Sequence, residues 1–231
     1  LKRINIPSSV KIIGAYTFYN CASLEQFHIP SSVTFIGVNA FNFCTNLRKI
    51  NIPRSIISIG NNAFTECVKL KNVTIEYGIK IIGLSAFANC TDLERINIPP
   101  SVTHIGNGAF ANCTNLKRIK IPRSVTNIGT AAFANCTKLK QITIPGNVTH
   151  IENYAFTECA KLENVTIENG VMNIGINAFA NCTSLLKIYI PDSVKTIGEN
   201  AFKNTFLHPD IKKLACRIQK IPTACHPITQ T

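Results

Sequence analysis

The ten cysteines are the first residues in this chain of 231 that could carry chemistry. Eight of them, Cys21, Cys44, Cys67, Cys90, Cys113, Cys136, Cys159 and Cys182, recur at a 23-residue interval, and Thr205 takes the ninth place. A metal site needs sulfurs that converge at short spacing, as in C-x-x-C. A long fixed interval sets them in a line instead. Equivalent Cβ atoms one strand apart lie at about 4.8 Å, beyond the roughly 3.5–4.5 Å of a disulfide, so bridges along the line would be strained. The expectation is a ladder of buried, reduced thiols acting as small hydrophobes, and such a ladder says little about redox compartment. Cys216 and Cys225 lie off the interval, and for them a bridge and two free thiols are both open.

Histidine offers no more. His104 and His150 share one place in the interval but sit two units apart, roughly 10 Å at strand spacing, and His28 stands alone. No carboxylate or serine is placed by the pattern to complete a triad. No P-loop, dinucleotide fingerprint, zinc-protease helix or paired-carboxylate motif occurs, so no catalytic residue, metal or cofactor is expected. Seven Asn-x-Ser/Thr sequons stand at Asn72, Asn89, Asn112, Asn135, Asn147, Asn164 and Asn181. Four are the repeated N-C-T, which a turn that needs a capping side chain would produce without any glycan.

The elements that must hold these residues follow from the interval. LERINIPPSVTHIGNGAFANCTN, from Leu93 to Asn115, is one of nine consecutive 23-residue copies that fill residues 1–207 without insertion or deletion. A fixed period in the twenties means a solenoid, in which each unit buries its apolar face against its neighbours, so one elongated domain is expected. The first position is always Leu and the sixth always Ile, the L-x-x-L-x-L strand of leucine-rich repeats. Two-residue alternation in R-I-N-I sends Ile96 and Ile98 inward and Arg95 and Asn97 outward. Stacked copies then make a continuous parallel sheet, wound right-handed by the usual chirality of parallel crossovers. Pro at the seventh position of seven copies lacks the amide that a ladder needs and ends the strand; Glu76 and Glu168 are the exceptions. A second apolar pair such as Val102 and Ile105 follows. Gly106 and its equivalents come next, with a positive φ expected there, although Glu152 shows that glycine is not obligatory. Phe in all nine copies predicts a spine inside the returning turn, and helix is expected to be short or absent.

The pattern LxxIxIPxxVxxIGxxAFxxC resembles the BspA-like, or Treponema pallidum type, leucine-rich repeat over residues 1–207. The plant and animal repeat puts Asn or Cys three residues after its strand, whereas here Pro follows at once, the mark of the BspA-like type. The resemblance implies a β-rich horseshoe that binds without catalysing, at the cell surface or secreted. Members of such families occur in oral bacteria and parasitic protists, where they are linked to adhesion to host cells and matrix proteins.

Residues 208–231 break the period. Pro209 suits a first helical position, and Ile211, Leu214 and Ile218 make one apolar stripe, so a C-terminal cap or tail is expected. The chain opens at the first position of a repeat without an initiator Met, an opening expected of a fragment whose native N-terminus lies upstream. No run of about 18 apolar residues is present.

Charge is where the sequence speaks about partners. Lys and Arg number 24 against 12 Asp and Glu, for a net +12. The outward strand positions two, three and five hold eleven of those cations against only Glu25, Glu94 and Glu163. The expected ligand-binding face therefore includes Arg48, Lys49, Lys71, Arg95, Lys117, Arg118, Lys120 and Lys140, the last five forming its densest block. Such a face suits an acidic protein or an anionic glycan. Only Tyr189 is aromatic there, which speaks against single-stranded nucleic acid. Two functions are open: a cell-surface adhesion or ligand-binding module, and an intracellular scaffold for an acidic protein. A solvated face that merely blunts aggregation is the plain alternative to both.

Overall fold

Leu at the first position of each copy, Ile, Val or Phe at the fourth and Ile at the sixth drive a short strand against the core, and the structure is built by stacking that strand. The structure is a computed structural model, and it describes residues 2–208. Each 23-residue coil contributes two strands, and no helix occurs among the described residues. The odd-numbered strands are the expected ones: β1 (Arg3–Ile4), β3 (Gln26–Phe27), β5 (Lys49–Ile52), β7 (Asn72–Ile75), β9 (Arg95–Asn97), β11 (Arg118–Lys120), β13 (Gln141–Ile144), β15 (Asn164–Ile167) and β17 (Lys187–Tyr189). All pairing is parallel and offset by one copy, as in Arg118 opposite Arg95 and Ile119 opposite Ile96.

The return half of each coil carries a second parallel sheet that the sequence had suggested only as an apolar pair. It contains β2 (Ile12–Ile13), β4 (Phe35–Ile36), β6 (Ser58–Ile59), β8 (Ile81–Ile82), β10 (His104–Ile105), β12 (Asn127–Ile128), β14 (His150–Ile151), β16 (Asn173–Ile174) and β18 (Thr196–Ile197). Two-residue strands suffice because every one is paired on both sides except at the ends. Between the sheets lies a continuous core of Leu, Ile, Val, Cys and Phe. From Phe41 to Phe202 the rings of adjacent coils stack with centroids 5.1–5.7 Å apart and planes within 8° of parallel.

The glycine after the second strand does not adopt the positive φ expected of it. Positive φ falls instead two and six residues later, for example at Asn62 and Glu66, where the turn uses two left-handed residues per coil. Asn is the commonest residue at these places and tolerates that conformation best after Gly, which accounts for the N-C-T repeats. Gly106 is there for space: a Cβ would meet Leu84 N at 2.6 Å and Gly83 C at 2.7 Å in the preceding coil. This closeness lets the glycine amide bond the preceding Ile carbonyl, as Gly106 does to Ile82 O at 2.9 Å.

The strand sheet is interrupted once. β1 to β11 form one six-stranded ladder and β13 to β17 another, with no ladder between β11 and β13. That junction is also the one where Glu152 replaces the glycine. The glycine-to-Ile bond recurs at Gly37, Gly60, Gly83, Gly106, Gly129, Gly175 and Gly198, but among the described residues Glu152 does not bond Ile128 O. A side chain occupies the space a backbone needs, and on the strand side the ladder is broken while β11 and β13 stay neighbours. On the turn edge they stay joined, through Phe133 N to Ala155 O at 2.9 Å and Asn135 N to Thr157 O at 2.8 Å.

The exceptions to proline are equally local in effect. Glu76 N donates to Ile52 O at 3.0 Å and Glu168 N to Ile144 O at 2.9 Å, bonds that proline could not make. The two pairs they join, β5 with β7 and β13 with β15, are the four-residue strands. The proposed C-terminal helix, with Ile211, Leu214 and Ile218, and the pair Cys216 and Cys225 lie outside the described residues.

Candidate ligand-binding face

Pairing at a one-copy offset stacks equivalent side chains into rows that run across the strands. Three rows face outward from the strand sheet, and they differ in kind. The row at position two holds all three glutamates of the face, and two of them are bound to lysine. Glu25 takes Lys2 at 3.2 Å, while Glu94 lies between Lys117 at 2.9 Å and Lys71 at 3.0 Å. Hydrogen bonds from Lys117 and then Lys71 hold the Glu94 carboxyl down at about 2.

The rows at positions three and five contain no acid. The first reads Arg3, Gln26, Lys49, Asn72, Arg95, Arg118, Gln141, Asn164 and Lys187; the second reads Asn5, His28, Asn51, Thr74, Asn97, Lys120, Thr143, Thr166 and Tyr189. Cations, amides and threonines fill them almost completely. Arg3, Lys49, Arg95, Arg118 and Lys120 are exposed and make no ion pair among the described residues.

The densest block of the sequence reading is thus uneven. Arg95 and Arg118 stand opposite each other and Lys120 opposite Asn97, whereas Lys117 and Lys71 are tied to Glu94. Lys140 lies across the interruption from Lys117, and Arg48 and Lys49 lie at the start of β5, both exposed. The concavity of the face is elsewhere. A groove of about 480 Å³ crosses β1 to β7 and is lined by Arg3, Gln26, His28, Lys49, Asn51 and Asn72 among others. Its amides and His28 carry no charge signal, so a count of cations passes over them; the row without acids was the usable cue. Asn51 donates to Glu76 Oε1 at 2.9 Å, and this bond, with the Arg54 backbone N–H, keeps the Glu76 carboxyl below the ordinary range.

The cysteine ladder carries no chemistry. The eight periodic thiols are free, and seven of them are fully buried. Each buried thiol donates to the Phe carbonyl of the preceding coil, as Cys113 Sγ does to Phe87 O at 3.2 Å. Burial pushes the Cys44 and Cys113 thiols up to about 12 and those of Cys67, Cys90, Cys136 and Cys159 upward as well. Asn135 donates to Asn112 Oδ1 and Asn204 to Asn181 Oδ1, both at 2.8 Å, so the N-C-T asparagines form a structural ladder on the turn edge. His104 and His150 lie on the second sheet, separated by β12, each bonded to the preceding threonine. Among the described residues, no three His, Cys, Asp or Glu side chains are grouped so as to hold a metal. No helix there is long and apolar enough to cross a membrane.

Two stacked parallel sheets, a one-residue-type Phe spine and an L-x-x-I-x-I strand define a leucine-rich repeat solenoid. The chain belongs to the BspA-type leucine-rich repeat region family, whose model matches residues 1–117 and 80–208. Similar solved structures are a leucine-rich cell surface protein from Faecalibacterium prausnitzii, a Treponema pallidum leucine-rich repeat protein and the pneumococcal vaccine antigen PcpA. The first is 25% identical with a TM-score of 0.51, covering 97% of this chain and 83% of its own. The second is 26% identical with a TM-score of 0.54, covering 84% and 80%. The third is 26% identical with a TM-score of 0.60, covering 89% and 55%. No curated protein matches the chain.

Proposed function

We propose that this chain is the binding module of a cell-surface protein and that it engages an acidic partner on its strand face, without catalysis. The observation that carries this reading is the pair of central outward rows, which hold cations and amides and no acid. The cell-surface description of the Faecalibacterium protein and the antigen description of the pneumococcal one support the location. Fields of neighbouring cations add within a Debye length of about 8–10 Å, which spans two coils. The face therefore acts on a polyanion as one surface.

Poly-L-glutamate is a sufficient probe. Its binding should weaken steadily as salt rises. Lys117→Glu/Arg118→Glu/Lys120→Glu should reduce it far more than Lys69→Glu/Lys138→Glu/Lys161→Glu, which lies off the strand face and changes net charge equally. Equal losses would assign the rows to solvation.

A further inference from the structure

We infer that the ligand of the strand face is a linear acidic glycan with one anionic group on every second sugar, lying across β1 to β9 at right angles to the strands. The inference rests on the proposed binding role of that face and adds the chemistry of the ligand and its register.

Along the position-three row the first five coils read Arg3, Gln26, Lys49, Asn72 and Arg95, so cation and amide alternate. The cations are two coils apart, about 9.6 Å at strand spacing, with an amide midway. A pyranose in an extended glycan advances by about one strand spacing, ~4.8 Å. A chain of alternating acidic and neutral sugars therefore brings each acid onto Arg3, Lys49 or Arg95, and each neutral sugar onto Gln26 or Asn72. Amides suit that neighbour because they both donate to and accept from hydroxyl or acetamido groups. The parallel row supplies Asn5, His28, Thr74 and Asn97 as further hydrogen-bonding groups, while Asn51 in the same row is held by Glu76. The groove over the first four of these coils gives the sugars a trough, and Arg95 lies just beyond its end.

A polypeptide partner fits less well. Protein interfaces draw most of their energy from buried aromatic and Arg anchors, and over the first five coils these two rows offer Arg3 and Arg95 but no Phe, Tyr, Trp or aliphatic side chain to bury beside them. Side chains on one face of an extended peptide recur at about 6.6 Å and then about 13 Å, out of step with a cation spacing of about 9.6 Å.

The test uses hyaluronan oligosaccharides, which alternate glucuronate with an acetamido sugar, and poly-L-glutamate as the polypeptide control. Spanning Arg3 to Arg95 takes about 19 Å, so a hexasaccharide should bind and a tetrasaccharide should bind about tenfold more weakly, having lost one anchor. Arg3→Gln/Lys49→Gln/Arg95→Gln should weaken the hexasaccharide by about tenfold or more, and the equal charge change off the strand face, Lys69→Gln/Lys138→Gln/Lys161→Gln, by less than about threefold. All six side chains are exposed, and a thermal unfolding curve verifies that both variants are folded. Equal losses in the two variants, or no step with length, overturn the glycan register. Binding of poly-L-glutamate but not hyaluronan overturns the glycan while leaving the acidic-ligand reading intact. Binding of neither at low salt overturns both.

Discussion

At the scale of single residues, the thiols and Glu94 show how position decides a side chain's properties. A hydroxyl in place of Cys113 would keep a partner, because Phe87 O stands at 3.2 Å from the sulfur and can accept from serine too. Cys113→Ser should therefore cost only roughly 1 kcal/mol in urea unfolding, near the value of one net hydrogen bond, and a loss above about 3 kcal/mol would mean that the carbonyl is not used. The periodic spacing made the ladder legible; the carbonyl was not, because it comes from the fold of the turn. The folded thiols ionise well above the ordinary value of 9.0, to about 12 for Cys44 and Cys113. A group whose folded pKa is raised contributes stability that is complete below the unfolded pKa and is lost as pH rises through the window up to the folded one. Here that window runs from 9 to about 12, with six buried thiols acting together. The melting temperature should thus fall steeply above pH 9, and Cys→Ser variants should flatten the fall. Glu94 has the opposite sign: its carboxylate stays ionised down to about pH 2, so Lys71 and Lys117 stay neutralised through mild acid. Glu94→Gln frees both ammonium groups and should tighten poly-L-glutamate binding at low salt, with the gain vanishing as salt rises; an unchanged affinity would place the ligand away from the position-two row.

At the scale of the element, the glycine after the second strand is where sequence and structure part most usefully. Eight copies carry it and Glu152 does not, a contrast that in sequence reads as tolerance. In three dimensions it marks the missing ladder between β11 and β13, because the preceding coil lies within about one atom's width of any added Cβ. Glu152→Gly should restore the amide bond to Ile128 O and the ladder between β11 and β13. Two backbone bonds contribute about 1 kcal/mol each, and glycine costs about 0.5–1 kcal/mol in chain freedom, for a net gain near 1 kcal/mol. In a chain of this size that raises the melting temperature by about 2–4 °C, and a lower value would show that the glutamate is not the wedge. The strand and Phe rows were legible because they depend only on a side-chain period. The second sheet was not, since a strand of two residues offers no alternation to count and is recognisable only once its neighbours are stacked beside it. The charged face was half legible: its cations declare themselves, whereas Gln26, His28 and Asn51 become part of a groove only when rows are assembled.

At the scale of the whole molecule, each coil touches only its neighbours, so stability is close to a sum of coil and junction contributions. The junction between Leu139 and the coil before it is the weakest link on two faces. Lys117 N bonds Glu94 O at 3.0 Å and Glu163 N bonds Lys140 O at 2.8 Å, but among the described residues the corresponding bond from Lys140 N to Lys117 O is absent, as is that of Glu152; Glu94 N likewise does not bond Lys71 O, but there the ladder between β7 and β9 is intact. What holds this junction is the pairing of β12 with β14, the turn edge and the Phe133–Phe156 stack at 5.3 Å. Local opening in a solenoid begins where nearest-neighbour contacts are fewest. The amides of Lys140 and Glu152 should therefore exchange hydrogen faster than those of Lys117, Gly129, Glu163 and Gly175, their equivalents one coil to either side. Unfolding in denaturant should divide into a unit of the first six coils and a unit of the last three. Glu152→Gly should slow exchange at both sites and merge the two units into one transition. If exchange at Lys140 matches that at Lys117 and Glu163, the broken ladder does not weaken the array, and its cooperativity resides in the β12–β14 pairing, the turn edge and the phenylalanine spine.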